Sequence, residues 1–397
     1  MIVAPKTASV ARTRSLRRQV FGWLGPSPWL QLVILVGVAA ILIVLGSNIA
    51  TTMARTGVTP GFGFLENAAN FEIGEGMIAF HAGDSYARAI LVGLLNTAKI
   101  ALLGCGFATV LGVALGVMRL SGNLMLSGLV RWYVEIVRNT PLLLQLFFWI
   151  ALAHALPSPR RAVTLLDAVF LTNRGVYVPG IVIREFSLLA MLVLAAVAGI
   201  WIWLVWRGWR NKRTGLLAPL PVSLVGILVL GATFTASGTR IGLEVPAISG
   251  FNIRGGVSLT PEFAALLVGL TVKFSAIIAE IVRAGILSVR QEQWDAARAL
   301  GLHRGKIMRL VVLPQALRVI TPLATSSYLD LIKDSSLAVA IGYPDVMNIV
   351  NTTANTTGQA FEALLIVVLL YLTLNLAVSA LMSVYNTRVA LRGETSK

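Results

Sequence analysis

Ionisable side chains inside otherwise apolar stretches are the first residues whose chemistry needs a purpose: Lys99, Glu135, Arg138, Lys273, Glu280, Asp330 and Lys333. A charge at membrane depth is costly and faces a cavity or a partner rather than lipid. Glu135 with Arg138, and Glu280 with Arg283, are spaced i,i+3, so one reading is mutual neutralisation that holds helices in register. The other is a polar passage lined by Asn139, Thr140, Gln145 and Glu280. Pro141 removes a backbone donor and pushes Thr140 away from helical conformation, which breaks the helix there. Backbone groups freed by such a break are tolerated at membrane depth only against protein or a water-filled cavity. Acidic side chains and amides suit solutes that carry both an ammonium and a carboxylate.

Several other chemistries are excluded. Gly301-Leu-His-Arg-Gly305-Lys306 is one residue short of a phosphate-cradling GxxxxGK[ST] loop and continues with Ile307. His81, His154 and His303 show no metal-ligand spacing, and no GxSxG nucleophile turn occurs. The single cysteine, Cys105, excludes an intrachain disulfide framework. No metal, cofactor or catalytic residue is therefore assigned to this chain. The net charge of +16 would suit nucleic acid in a soluble protein, but the basic residues are spread over loops and ends.

The elements that must position these residues are transmembrane helices. The chain is 56% hydrophobic and 13% charged, about half the charge of a typical soluble domain. Apolar runs are read as eight spans: Trp29–Ala50, 86–119, 125–156 (interrupted at Asn139-Thr140-Pro141), 187–207, 218–237, 261–287, 312–334 and 361–387. Basic residues at 6–18, 207–213 and 388–397 place both termini in the cytoplasm. Residues 1–85 thus form an N-terminal unit ending in an outer loop, 86–156 and 260–397 the two parts of a core, and 157–259 an insertion. The Asn/Thr-rich stretch Asn348–Gln359 is expected as outer loop.

Gln291–Pro314 differs from these spans, being amphipathic and basic. A short cytoplasmic helix is expected over Gln293–Leu300. Asp295 lies in its first turn, where negative charge suits the helix dipole, and Gly301 stands where a left-handed C-cap is wanted. Trp294, Ala296, Ala297 and Leu300 offer apolar contact to another protein, or to lipid headgroups if the helix is merely interfacial. The next span is expected to open at Pro314, since proline is tolerated in a first turn.

This run resembles the EAA coupling loop of bacterial ABC importer permeases: Glu292-Gln293, Asp295-Ala296-Ala297, Gly301, then Leu313-Pro314-Gln315-Ala316. Glu292 stands where the family commonly has Gly, and Asp295 where it has Glu. Glu135–Gln145, Ala279–Arg283 and Leu331–Leu337 resemble the polar-amino-acid (histidine/glutamine-type) branch. The chain's length and Asn173-Arg174-Gly175-Val176-Tyr177 are similar to the long membrane subunits of general L-amino-acid (Aap/Bzt-type) importers. The resemblance implies an all-α polytopic membrane protein of the type I ABC importer permease fold, in the bacterial inner membrane. It implies a non-catalytic subunit passing polar L-amino acids inward from a periplasmic binding protein. Gln293, Trp294, Asp295, Ala296, Ala297, Leu300 and Gly301 would couple to a dimer of ATPase chains carrying ATP and magnesium. A second, related but different permease would complete the pathway. The rival reading is an autonomous ion-coupled carrier or channel.

Overall fold

In a computed structural model, residues 27–57, 61–184, 196–197, 199–201 and 240–391 of the chain are described. Among the described residues, five helices are long and apolar enough to cross a membrane: Trp29–Thr52, Tyr86–Arg119, Pro261–Leu287, Arg304–Ile341 and Ala360–Asn386. A sixth span is the pair Leu124–Asn139 and Leu142–His154, bent by 105°. The chain is a multi-pass integral membrane protein. The expected spans at 187–207 and 218–237 lie almost entirely outside the described residues, as do both chain ends.

We label the helices α1 (Pro28–Thr56), α2 (Tyr86–Arg119), α3 (Leu124–Asn139), α4 (Leu142–His154), α5 (Pro261–Leu287), α6 (Gln291–Ala299), α7 (Arg304–Ile307), α8 (Leu313–Asp334), α9 (Val346–Thr357) and α10 (Ala360–Leu391). Helix α5 is the hub, packed against α2, α3, α4 and α8. Phe263, Leu266, Leu270, Phe274, Ile278, Val282 and Ile286 recur along it at helical spacing and are all buried. Small residues let α2 approach: a Cβ at Gly112 would stand 2.7 Å from Ile278 Cβ. Without a hydrophobic drive between helices in lipid, such close packing is what holds them together. Helix α3 buries only a narrow stripe, Val130 and Val134, against Ala276 and Ala279 of α5. Its remaining face leaves Arg131, Glu135, Arg138 and Asn139 exposed.

Two stretches read as loops prove to be structured. Asn348–Gln359 belongs mostly to α9, whose N-cap Asp345 accepts from Asn348 N–H and whose C-cap Gly358 is left-handed. Val346, Ile349 and Val350 bury that helix with Ala89, Ile90 and Val92 of α2. The segments flanking residues 185–239 form short strands: β1 (Val163–Leu165), β2 (Val169–Thr172), β3 (Gly175–Val178), β4 (Gly180–Arg184), β5 (Arg240–Glu244), β6 (Ala247–Ser249), β7 (Asn252–Arg254) and β8 (Val257–Leu259). They make an antiparallel sheet in the order β1-β2-β3-β8, a two-stranded β4–β5 ladder and a β6–β7 hairpin. Runs of three to five residues are too short to show alternation in sequence. The β4–β5 ladder pairs Gly180 with Glu244 and Arg184 with Arg240, so residues 185–239 leave and rejoin the chain at one stem.

The span expected from 312 begins earlier. Helix α7 runs through a π-helical turn, Met308–Val312, into α8. Pro314 does not open the helix. It lacks the N–H that would reach back four residues, and its ring crowds that carbonyl, so a widened turn immediately before it relieves both problems.

Candidate coupling surface and helix break

Helix α6 starts two residues earlier than its sequence pattern predicts, so Glu292 rather than Asp295 occupies the first turn. Asp295 sits mid-helix, accepting from Gln291 Nε2 at 3.2 Å and pairing with Arg298 at 3.1 Å. These are exposed pairs that steady a short helix only slightly. The C-terminus is firmer. Gly301 has φ +70°, Gly301 N–H donates to Arg298 O, and Leu302 N–H donates to Ala297 O. These are the two bonds of a Schellman cap, and Leu302 packs against the apolar cluster that contains Ala297. His303 then caps α7, its Nδ1 accepting from Lys306 N–H at 3.1 Å.

The face α6 presents is not the one expected. Trp294 and Ala297 turn inward, joining the core cluster that contains Ile286, Val289 and Ile307. They anchor the helix to its own chain, Ala297 buried and Trp294 half-buried, which leaves Ala296 and Leu300 of the four expected as exposed apolar contacts. Gln293, Asp295, Ala296 and Leu300 face out, Leu300 at 80% exposure. Helical phase explains the correction: Trp294 and Ala297 are i,i+3 and share a face, while Ala296 and Leu300 are i,i+4 on another.

At the break between α3 and α4, the last carbonyls of α3 have no helical donors. Lys273 of α5 supplies them, donating from Nζ to the carbonyls of Arg138 at 2.9 Å, Thr140 at 3.0 Å and Val137 at 3.3 Å. Gln145 Nε2 reaches back from α4 to Val137 O at 3.0 Å and Thr140 O at 3.1 Å. Thr140 Oγ1 donates to Ile136 O. Thus Thr140 and Gln145 meet, Asn139 lies exposed beside them, and Glu280 stands two helical turns further along α5. There Glu280 pairs with Arg119 of α2 as well as with the expected Arg283. Glu135 does not pair with Arg138. It accepts from Arg131 at 2.9 Å, one full turn back, where the side chains overlap better.

A second polar knot lies at the other end of α5. Glu75 takes Lys99 at 2.6 Å and the N-cap hydroxyl of Thr260 at 2.6 Å. Asn96 Nδ2 donates to Glu75 O and Pro344 O. A cavity of about 380 Å³ opens beside it, lined by Glu72, Glu75, Thr260, Glu262, Asn348 and Thr352 among others. Asp345, buried beneath, also accepts from Tyr371 OH at 3.2 Å, and burial pushes its carboxyl up to about 7. Neither Glu75 nor Arg119 stands out in the sequence by type or spacing. The available signal was that Lys99, alone in an apolar helix, required a partner.

Residues 108–391, most of the core just described, match the family model for binding-protein-dependent transport system inner membrane components. The chain belongs to that family. It is 42% identical over 371 residues to the putative amino-acid ABC transporter permease protein YhdX of Escherichia coli, covering 91% of this chain and 94% of that one. It is similar to the general L-amino acid transport system permease protein AapQ of Rhizobium johnstonii, at 41% identity and 87% coverage of each chain. It is also similar to the glutamate/glutamine/aspartate/asparagine transport system permease protein BztB of Rhodobacter capsulatus, at 35% identity with 91% and 93% covered. These matches run through the inserted segment. By contrast, the probable glutamine ABC transporter permease protein GlnP of Bacillus subtilis matches only 29% of this chain and 55% of its own, at 35% identity. Helix α6 and the break between α3 and α4 both fall inside the matched region.

Proposed function

We propose that this chain is a membrane subunit of an ATP-driven ABC importer in the bacterial inner membrane. It passes polar L-amino acids from a periplasmic binding protein to the cytoplasm. The observation that carries the reading is α6: a short, firmly capped helix, anchored by Trp294 and Ala297, with Gln293, Asp295, Ala296 and Leu300 free for another protein. A separate ATPase dimer bearing ATP and magnesium docks there, because the chain lacks a phosphate-binding loop of its own. The exposed charges of α3 and those of α8 (Asp330 and Lys333, paired at 3.1 Å) would be costly against lipid. They face a second permease, related but different, and the passage between the two. Asn139 lies on that passage, Thr140 and Gln145 shape it by fixing the bend, and Glu280 with its arginines marks its inner end. The amino-acid cargo is supported by the names of the relatives and by mixed charge suited to zwitterions.

Purifying the intact complex tests the assignment. Ala296→Arg or Leu300→Asp is expected to weaken association with the ATPase at least about tenfold while leaving the membrane subunit folded. Uptake by the purified chain alone in liposomes under an ion gradient, without ATP, would establish the carrier reading instead.

A further inference from the structure

We propose that Lys273 is the brace through which movement of α6 reaches the break between α3 and α4. The inference rests on α6 being the ATPase contact. Lys99, Glu280 and Lys333 are each taken up by an ion pair: Lys99 by Glu75, Glu280 by Arg119 and Arg283, Lys333 by Asp330. Among the described residues Lys273 has no carboxylate within 4 Å, and Asp334 acts on it only at longer range. Its ammonium has three donors, and all are directed at the three freed carbonyls of Val137, Arg138 and Thr140. The positive charge also complements the negative end of α3.

What makes this more than a local cap is where Lys273 sits. From Lys273 to Leu287, α5 is unbroken for about 21 Å. Ser288 N–H continues its bonding to Ala284 O, and Val289 is buried in the same cluster as Ile286, Trp294 and Ala297. Helices α5 and α6 are therefore locked at their junction, and displacement of α6 carries the Lys273 end of α5 with it. Gln145 bonds two of the same carbonyls but projects from α4 itself, so it holds the bend without linking it to α6. Leu142 and Leu146 of α4 belong to the apolar cluster that α5 dominates, which leaves the bend supported when the ammonium is removed.

The test uses the full complex in proteoliposomes, measuring ATP hydrolysed per amino acid imported with the binding protein supplied. Lys273→Met is expected to raise that ratio at least about fivefold with the ATPase still associated, whereas Thr109→Val, which removes a hydroxyl bonded at 2.8 Å to Tyr328 of α8, away from the break, stays within about twofold of wild type. If Lys273→Met leaves the ratio unchanged, or if both variants raise it equally, Lys273 only caps α3 and the proposal fails. Should Lys273→Met not assemble, Lys273→Arg, which keeps the charge but offers a planar donor fork, is read the same way. A wild-type complex that hydrolyses no ATP would instead overturn the functional reading beneath it.

Discussion

Asp345 shows how a single side chain is held against its own preference. It caps α9, yet it is fully buried and its partners are neutral groups: Asn348 N–H at 2.8 Å and Tyr371 OH at 3.2 Å. Burial outweighs these bonds and raises the carboxyl from 3.8 to about 7. A folded-state value above the unfolded one means a contribution that is fully present below about pH 4. It is lost as pH climbs to about 7 and is level beyond, on the order of a few kcal/mol in all. Asp345→Asn keeps the capping oxygen and removes the titration. Its melting temperature in detergent, relative to wild type, should therefore rise between pH 4 and 7. A difference that does not vary with pH would refute this account. Elsewhere, Glu280 pairs with Arg283 as i,i+3 spacing predicts, because such neighbours are set by the helix itself. Glu135 chose Arg131 over Arg138, a competition between two nearby arginines that spacing alone does not decide.

At the level of elements, α2 and α5 are joined through glycine. A Cβ at Gly112 would lie 2.7 Å from Ile278 Cβ and 2.9 Å from Ser275 O, whereas Gly106 has no atom within 4 Å of the equivalent position. Gly112→Val should cost roughly 1–3 kcal/mol through overpacking. Gly106→Ala should be neutral or better, because alanine favours helix. Thermal unfolding of the two purified variants distinguishes them. Helix α6 was legible as an element from its Gly301 cap and its alanines, but its facing was not. Trp294 looked available to a partner, and only the core cluster of Ile286 and Val289 shows it to be claimed from within.

For the molecule as a whole, orientation is the property on which the functional reading depends. Leu300 on α6 and Leu166 at the β1–β2 turn are both strongly exposed, at 80% and 98%, and are assigned to opposite sides of the membrane. In a Cys105→Ser background, Leu166→Cys should react with a membrane-impermeant maleimide from the periplasmic side. Leu300→Cys should react only after the cytoplasmic face is opened. The reverse pattern would invert the account. The β layer carrying Leu166 was missed in sequence because its strands are short and its pairings non-local: Val176 meets Leu259 across the whole insertion.

From the sequence alone came what short-range physics controls: long apolar spans, a proline-induced break after Thr140, a glycine cap at 301, and the motifs that mark an importer's membrane subunit. Tertiary structure decided which distant group answers each exposed need. Lys273 finds carbonyls 133 to 136 positions away, Arg119 finds Glu280, and Glu75 gathers Lys99 and Thr260. A freed carbonyl or lone ammonium announces in sequence that it requires a partner. Which partner arrives depends on how the helices pack, and that packing is a property of the whole bundle rather than of any window along the chain.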